Sequence, residues 1–362
     1  MRPAHRTLLA LAAACTLTAT TGAAASAGSA PPAAPPRASG AGPLDGMRIL
    51  ISNDDGMQAA KPNHSDGLGA YEMRRALCAA GADVVVMAPW QVQSGRGTAV
   101  TNHGVLTVQQ RERMPAGYEN DCAGAPSGAP VFGVCLADGP CGPDSPSATP
   151  ADTVKLALRG GLAAKAGWND SPDLVVTGIN SGLNVSSSVN DSGTVGAAIA
   201  ATDIGVPAVA FSASANADMS AHPVENYRAT AAFGAKFLAG LKDRLLFTDK
   251  FALKVDYPDI SAGAKAGPPV WTRVGSGAYA YHGYVRNDGG NGFTIALGDC
   301  ASANPGSTEC VEGRPDADST AALGGAVSVT PITSDRTYGT AIDGKKELKR
   351  TEQYVKKSAP RS

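Results

Sequence analysis

Short apolar runs alternate with amphipathic segments along the chain from residue 47 onward. The run 47–52 ends in a polar loop, and the runs 83–88, 173–178 and 208–212 have the same form. A short apolar run bounded by turn residues is typical of a strand that is buried on both faces of a parallel sheet. We therefore predict parallel strands at these positions.

Helices are predicted between the strands. Apolar residues recur at helical spacing from Met73 to Ala80, and Gly81 ends this segment. Thr149-Pro-Ala-Asp152 is a capping box with proline at the first helical position, and a further helix spans 195–204. Strands that alternate with such helices indicate an α/β fold, in which a mainly parallel sheet is covered on both faces.

Polar residues gather where the predicted strands end. They are Asn53, Asp54 and Asp55 after the first strand, Ser94 after the second, Asn180 and Asn184 after the third, and Ser192, Gly193 and Thr194 at the helix before the fourth. Because open α/β sheets bind ligands beyond the carboxyl ends of their strands, these residues are expected to converge on one site.

The residue types at this edge favour phosphoester chemistry. The adjacent carboxylates of Asp54 and Asp55 repel each other unless a proton or a cation lies between them, and oxygen ligands suit Mg²⁺ or Mn²⁺. A Ser-Gly-Thr helix start offers free N–H groups to a phosphate. Each motif alone is more often a turn or an ordinary cap, so the hypothesis depends on their convergence. His64 and Asp66 are weaker accessory candidates.

Several other site types are excluded by their missing motifs. The first strand is not followed by G-x-G-x-x-G, and the chain contains no G-x-x-x-x-G-K-[ST], which removes the dinucleotide-binding and P-loop interpretations. Ser181 is not in a G-x-S-x-G elbow. Asn53 stands where a haloacid-dehalogenase-type phosphatase would carry its nucleophilic aspartate. His222 and His282 are predicted to be surface residues, and 279–284 a structural strand.

The amino terminus has the pattern of an export signal. Basic residues precede a short apolar run from Leu8 to Cys15, and Ala25-Ser-Ala27 is a cleavage site, so we predict a signal peptide over 1–27. A lipoprotein signal through Cys15 is an alternative, whereas the apolar run is too short for a membrane anchor. The Pro/Ala-rich segment 28–45 is predicted to be a disordered lead-in, and the mature protein to be secreted.

Composition narrows the choice of partners. The formal net charge of −1 and a charged fraction of 17% give no electrostatic reason to expect a nucleic-acid polymer, and no segment is apolar for long enough to span a membrane. The chain contains 43 glycines and 25 prolines, which is typical either of low complexity or of many loops. Many of them lie in the leader, in 111–147 and in the site loops, which favours loops. The basic tail is predicted to be a solvated extension.

Six cysteines remain after removal of the signal. An even number in an exported chain favours disulfides, and Cys135 and Cys141 lack the spacing and the partner pair of a zinc site. Cys300 and Cys310 flank a short loop and are the best local pair. The pairing of the other four cysteines stays open at this stage.

The pattern resembles the SurE family of survival-protein nucleotidases in six ordered segments, which together extend over about residues 47–332. The segments are Ile49-Leu-Ile-Ser-Asn-Asp-Asp-Gly56, Ala88-Pro-Trp-Gln-Val-Gln-Ser-Gly95, Thr149 to Leu158, Pro172 to Asn184, Ser192-Gly-Thr-Val-Gly-Ala-Ala198 and Gly325 to Pro331. The resemblance implies a metal-dependent phosphatase acting on nucleoside 5′- and 3′-monophosphates. It also implies a three-layer Rossmann-like core with a C-terminal β-rich arm, exchanged between the subunits of a homodimer or homotetramer.

The same resemblance implies roles for the polar residues. One divalent cation per subunit (Mg²⁺ or Mn²⁺, or Ca²⁺ in crystals) would be held by Asp54, Asp55, Ser94 and Asn180, and the phosphate by Asn184, Ser192, Gly193 and Thr194. The expected mechanism is direct attack by metal-activated water, with Asp54 or Asp55 accepting a proton. The alternative is a non-catalytic extracellular nucleotide- or phosphate-binding protein on the same fold.

The expected organisation has five parts: signal 1–27, lead-in 28–45, catalytic core 46–248, C-terminal arm and final core strand 249–335, and basic tail 336–362. The chain departs from the family pattern at an insertion at 60–66, a Gly/Pro/Cys-rich insertion at 111–147, Ser186 to Ser188, and Asp191. These departures surround the predicted nucleoside side of the site, so they leave the substrate preference open.

Overall fold

The computed structural model describes residues 42–335 and 345–361. Its strands are β1 (Arg48–Ser52), β2 (Asp83–Pro89), β3 (Leu106–Gln110), β4 (Val131–Leu136), β5 (Leu174–Ser181), β6 (Ala208–Ala213), β7 (Ala252–Tyr257), β8 (Gly267–Trp271), β9 (Ala280–Arg286), β10 (Phe293–Asp299) and β11 (Ala326–Ile332). Its α-helices are α1 (Leu68–Ala79), α2 (Pro150–Leu156), α3 (Leu162–Ala166), α4 (Gly193–Thr202), α5 (Val224–Asp243), α6 (Cys300–Ala303), α7 (Asp318–Leu323) and α8 (Lys345–Ser358).

Nine strands form one sheet in the order β3-β4-β2-β1-β5-β6-β7-β11-β8. Its centre is parallel, with β1 between β2 and β5, and β6 between β5 and β7. Antiparallel pairs occur only at β3–β4 and β7–β11 within this sheet. The α/β fold with a mainly parallel sheet, predicted from the alternating pattern, is confirmed.

Both faces of the sheet are covered because successive strand residues point to opposite sides. Ile49 and Ile51 lie in one buried cluster together with α1 and α5, whereas Leu50 lies in a second cluster with α2 and α4. All three side chains are 0% exposed. Neither face of β1 is therefore exposed to solvent, which explains why Ile49, Leu50 and Ile51 are apolar without a polar residue between them.

Local signals set the helix starts. The Thr149 hydroxyl accepts a hydrogen bond from the N–H of Asp152, and the Ser192 hydroxyl accepts one from the N–H of Val195. Each bond satisfies an amide that has no partner within its own helix. The helix predicted over 195–204 begins at Gly193, so the Ser192-Gly-Thr segment is its first turn.

The segment 111–147 is not simply an insertion. It contains β4, which pairs in parallel with β2 and belongs to the main sheet. The residues of this segment that precede β4 pack on α1. There, Tyr118 Oη donates to Glu72 at 2.7 Å, and Arg74 donates to the carbonyl of Ala129. Because Gly, Pro and Cys residues flank β4, the sequence pattern did not predict this strand of the main sheet.

The C-terminal arm is smaller than predicted. Strands β7, β8 and β11 belong to the main sheet, and only the antiparallel β9–β10 hairpin stands apart as a separate two-stranded sheet. A single core strand is expected after residue 249 from the sequence, whereas three strands of the main sheet lie there. Exchange of this arm between subunits stays a prediction.

Two predictions about the chain ends are wrong within the described residues. Leu44 is 0% exposed and belongs to the core, so residues 42–45, the described part of the predicted lead-in, are not disordered. In the tail, α8 packs on α5, with the Tyr354 and Phe237 ring centroids 5.5 Å apart, so this part is not a solvated extension. An apolar stripe at helical spacing, including Tyr354 and Val355, explains the docking. The predicted signal peptide lies outside the described residues.

Three disulfides link the six cysteines of the described residues: Cys78–Cys122, Cys135–Cys141 and Cys300–Cys310. The predicted Cys300–Cys310 pair is confirmed, and the other two pairs were open in the sequence. Among residues 42–335 and 345–361, every helix is too short or too polar to cross a lipid bilayer.

Candidate metal and phosphate site

The polar loops after β1 and β5 meet because these strands are parallel neighbours. Ser52 is paired with Thr177, so the residues that follow both strands emerge at the same sheet edge. The Thr194 hydroxyl at the start of α4 donates to Asp54 Oδ1 at 2.5 Å and lies 3.3 Å from Asn180 Oδ1. The structure thus brings Asp54, Asn180 and Thr194 together, as predicted.

The carboxylates of Asp54 and Asp55 are buried, with side chains 2% and 0% exposed. Asp55 accepts two hydrogen bonds from Ser181, one from its N–H at 2.8 Å and one from its hydroxyl at 2.5 Å. In the part of the chain that the structure describes, neither carboxylate forms an ion pair with a basic side chain.

Burial without a cationic partner raises the pKa of both groups. For Asp54, burial dominates and is opposed by hydrogen bonds from Thr194 and Gly193. For Asp55, burial and then the charge of Asp54 raise the pKa to about 8. Two adjacent buried carboxylates are costly as a pair of anions, which is the environment that a bound cation relieves.

The first turn of α4 contacts Asp54 directly. A Cβ added to Gly193 would lie 2.8 Å from Asp54 Cβ and 2.8 Å from Pro150 Cγ, so only glycine fits without movement. The first N–H groups of α4 have no acceptor within their own helix, and this end of the helix carries a positive partial charge. This end therefore faces the buried carboxylate of Asp54 and the space next to it.

The predicted residues divide into those that line a cleft and those behind it. The cleft has a volume of about 280 Å³ and is lined by Asp54, Ser94, Asn180, Asn184 and Ser192, among others. Behind its surface lie three further predicted residues: Asp55, which is bonded to Ser181, and Gly193 and Thr194, which contact Asp54.

Backbone hydrogen bonds connect the loop that carries Ser94 to Asp54 and to Asp191. The N–H of Gln93 donates to the Asp54 carbonyl at 2.6 Å, and the N–H of Gly97 donates to the Asp191 carbonyl at 2.9 Å. The exposed Ser94 side chain is thereby held at the same edge as the carboxylates.

The donor set fits a hard divalent cation. Asp54 and Asp55 offer carboxylate oxygens, and Ser94 offers a hydroxyl. The amide nitrogen of Asn180 donates to the Gly182 carbonyl at 2.8 Å, which fixes the amide and turns its oxygen toward Thr194 and Asp54. A second group of possible ligands, Cys300, Glu309 and Cys310, is different, because its two sulfurs form a disulfide.

His64 and Asp66 do not join the predicted site. Asp66 is 2% exposed and accepts hydrogen bonds from the N–H groups of Ala60 and Lys61, at 2.7 and 2.9 Å. His64 accepts a hydrogen bond from Tyr227 at its carbonyl. Both residues shape the 60–66 loop, and neither is among the residues that line the cleft.

The sequence missed several residues that line the cleft. His222 was predicted to be a surface residue, but it lines the cleft, as do Met219, Tyr279, the exposed His282 and Leu297. Within the described residues His222 Nδ1 is buried without a hydrogen-bond partner. Burial, then His64 and Lys61, lower the pKa of His222 to about 4, so the imidazole is neutral near pH 7. The loop after β6 is at the same sheet edge as the other site loops. The sequence could therefore have indicated that His222, which is in this loop, lies near the site.

Comparisons with known proteins found similar sequences and a similar fold. The sequence profile of the family described as Survival protein SurE matches residues 49–281. A protein named 5′-nucleotidase SurE from Citrifermentans bemidjiense is 31% identical over 299 residues, covering 82% of this chain and 97% of its own. One of the same name from Geobacter sulfurreducens is 34% identical over 224 residues, covering 62% and 67%. The crystal structure of the SurE protein from Aquifex aeolicus superposes with a TM-score of 0.53 at 25% identity, covering 85% of this chain and 99% of that one.

Proposed function

The chain belongs to the SurE family, and on that premise we propose that it is a secreted phosphomonoesterase. It hydrolyses nucleoside 5′- and 3′-monophosphates and depends on one divalent cation, Mg²⁺ or Mn²⁺, in each subunit. The observation that carries the proposal is the pair of buried carboxylates, Asp54 and Asp55, which has no basic partner among the described residues and of which Asp54 lies against the start of α4.

Each part of the site has a task in this reaction. When bound, the cation supplies Lewis-acid polarisation of a phosphoryl oxygen. Asp54, Asp55, Ser94 and Asn180 hold it, and Thr194 orients Asp54 through its hydroxyl. The Asn184 and Ser192 side chains and the first amides of α4 bind the phosphate and stabilise charge on its equatorial oxygens.

Water is the proposed nucleophile, and a carboxylate oxygen of Asp54 accepts its proton. As the water oxygen bonds to phosphorus, the ester P–O bond breaks, and the nucleoside leaves as an alcohol with a proton from solvent. Asp54 suits this task because its side chain lines the cleft, whereas both Asp55 oxygens accept hydrogen bonds from Ser181. A phosphorylated enzyme trapped during turnover would contradict this route.

Export and assembly are part of the proposal. Three disulfides support an oxidising compartment, and the amino-terminal sequence supports a signal cleaved after Ala27. The β9–β10 hairpin exposes Tyr284, Val285 and Ile295, which supports its use as the contact of a homodimer or homotetramer.

The test is phosphate release from AMP and from p-nitrophenyl phosphate, with Mn²⁺, with Mg²⁺ and with EDTA. Release should require the divalent cation, and Asp55→Ala should abolish it while circular dichroism stays native. Asp249→Ala is a matched control, because the Asp249 side chain is 38% exposed and, among the described residues, its ion pair is with the neighbouring Lys250 at 3.6 Å. AMP binding without any release would instead favour a non-catalytic nucleotide-binding protein.

A further inference from the structure

Three fully buried charged residues form a network beneath the cleft. Lys254, Asp256 and Asp318 are each 0% exposed. The Lys254 ammonium forms ion pairs with a carboxylate oxygen of Asp256 and, at 2.9 Å, with one of Asp318. None of the three lines the cleft or has a role in the chemistry described above.

The second oxygen of each carboxylate holds the loop after β5. Asp256 Oδ1 accepts a hydrogen bond from the backbone N–H of Asn184 at 2.9 Å, and Asp318 Oδ1 accepts one from the N–H of Ser186 at 3.0 Å. The Asn184 side-chain amide donates to the Ser212 hydroxyl, also at 2.9 Å. This loop is thus fixed at alternate residues by two anions that Lys254 holds in place.

Such a network is not an efficient way to stabilise a fold. The cost of desolvating buried ions offsets much of their attraction, so apolar residues of similar volume often stabilise a core as well. A charged acceptor instead provides short, directional hydrogen bonds to particular backbone amides. Here the amide on Asp256 is that of Asn184, and Asp318 Oδ1 accepts from Ser186 and also from Gly275 and Ser319. Asn184 is one of the two side chains assigned to phosphate.

We propose that Lys254, Asp256 and Asp318 are positioning residues for phosphate binding, acting through the backbone of Asn184 and Ser186. The inference rests on the proposed function and adds three residues to it, all from the C-terminal third of the chain. They touch neither cation nor substrate, so their effect is confined to how the phosphate is held.

Asp256→Leu is the most direct test. It removes the acceptor of the Asn184 N–H and leaves Lys254 paired with Asp318, so the buried charge becomes balanced. We expect the Kd for inorganic phosphate, measured by calorimetry on the Mn²⁺-loaded protein, and the KM for AMP to rise about tenfold, as the loss of one charge-assisted hydrogen bond implies. The Mn²⁺ concentration that gives half-maximal activity should not change. Asp256→Asn keeps one oxygen for the Asn184 N–H but turns its amide nitrogen toward the Lys254 ammonium, so it should recover part of the phosphate affinity.

Asp259→Asn is the matched control, since Asp259 accepts hydrogen bonds from Asn226 and Ser261 and does not touch the loop. Unchanged phosphate affinity in a folded Asp256→Leu protein would overturn the inference, as would a parallel loss of phosphate and Mn²⁺ affinity. If the wild-type protein binds phosphate but releases none from AMP, the proposed function is contradicted and the inference about Asp256 is not. Amide hydrogen exchange on the unmodified protein gives a second test: the Asn184 N–H should exchange slowly, and free exchange would also overturn the inference.

Discussion

The hydroxyl of Thr194 donates a hydrogen bond to Asp54, a residue 140 positions earlier in the chain, at 2.5 Å. The bond fixes the orientation of a carboxylate that reaches both the cleft and the start of α4. We expect Thr194→Val to lower kcat/KM for AMP about tenfold to a hundredfold, because hydrogen bonds to charged groups contribute about 1.5–3 kcal/mol. Thr194→Ser retains the hydroxyl and should stay close to wild type; equal losses in both variants would contradict the assigned role.

Gly193 allows the close approach of α4 to Asp54. In Gly193→Ala the new methyl group would lie 2.8 Å from Asp54 Cβ and from Pro150 Cγ, so either the helix or the carboxylate must move. We expect a loss of about 1–3 kcal/mol in unfolding free energy, together with weaker Mn²⁺ activation. Urea denaturation and a Mn²⁺ titration of activity measure the two effects. Gly313→Ala, which has open space around the added carbon, is the control.

Glu312 makes stability depend on pH in the acid range. Burial raises its pKa, but hydrogen bonds from Gly277, Arg314, Ser186 and Ser276 outweigh burial and lower the pKa to about 2. A depressed pKa in the folded state stabilises the protein above the unfolded value of about 4.5, and this contribution is lost as pH falls toward 2.

The comparison of wild type with Glu312→Gln tests this dependence. Wild type should be the more stable protein above pH 5, and the difference in unfolding free energy should shrink as pH decreases below 4.5. Urea denaturation at several pH values measures it, with the exposed Glu225→Gln as the control for loss of one negative charge. A difference that grew toward low pH would contradict the assignment.

The three disulfides should differ in their contribution to stability. Cys78–Cys122 spans 44 positions, whereas Cys135–Cys141 spans 6. Loop-closure entropy predicts a loss of about 4 kcal/mol when the first is replaced by a pair of serines and about 2 kcal/mol for the second. Thermal denaturation of the two double variants tests this order. Non-reducing peptide mapping should recover all three pairs, and six free thiols would contradict both the pairing and the proposed export.

Much of the site was predictable because its residues follow strands whose apolar patterns are clear. The runs 47–52 and 173–178 placed Asp54 and Asn180 at the carboxyl ends of buried strands, and parallel pairing then required them to meet. His222 was missed because its loop carries no motif. Strand β4 was missed because its apolar run stands among turn-forming residues, and β7 because the arm was expected to start near residue 250.

The sequence by itself determined the alternation of strands and helices, the helix start at Ser192 and the oxygen-rich residue set at one sheet edge. These follow from local patterns, in which burial and capping act over a few neighbouring residues. Only the tertiary structure decided that Gly193 must be glycine, that His64 and Asp66 serve a loop, and that Lys254 lies buried under the cleft. Those features depend on contacts between segments far apart in the chain, and no local pattern records which distant side chain will fill a given space or pair with a given charge.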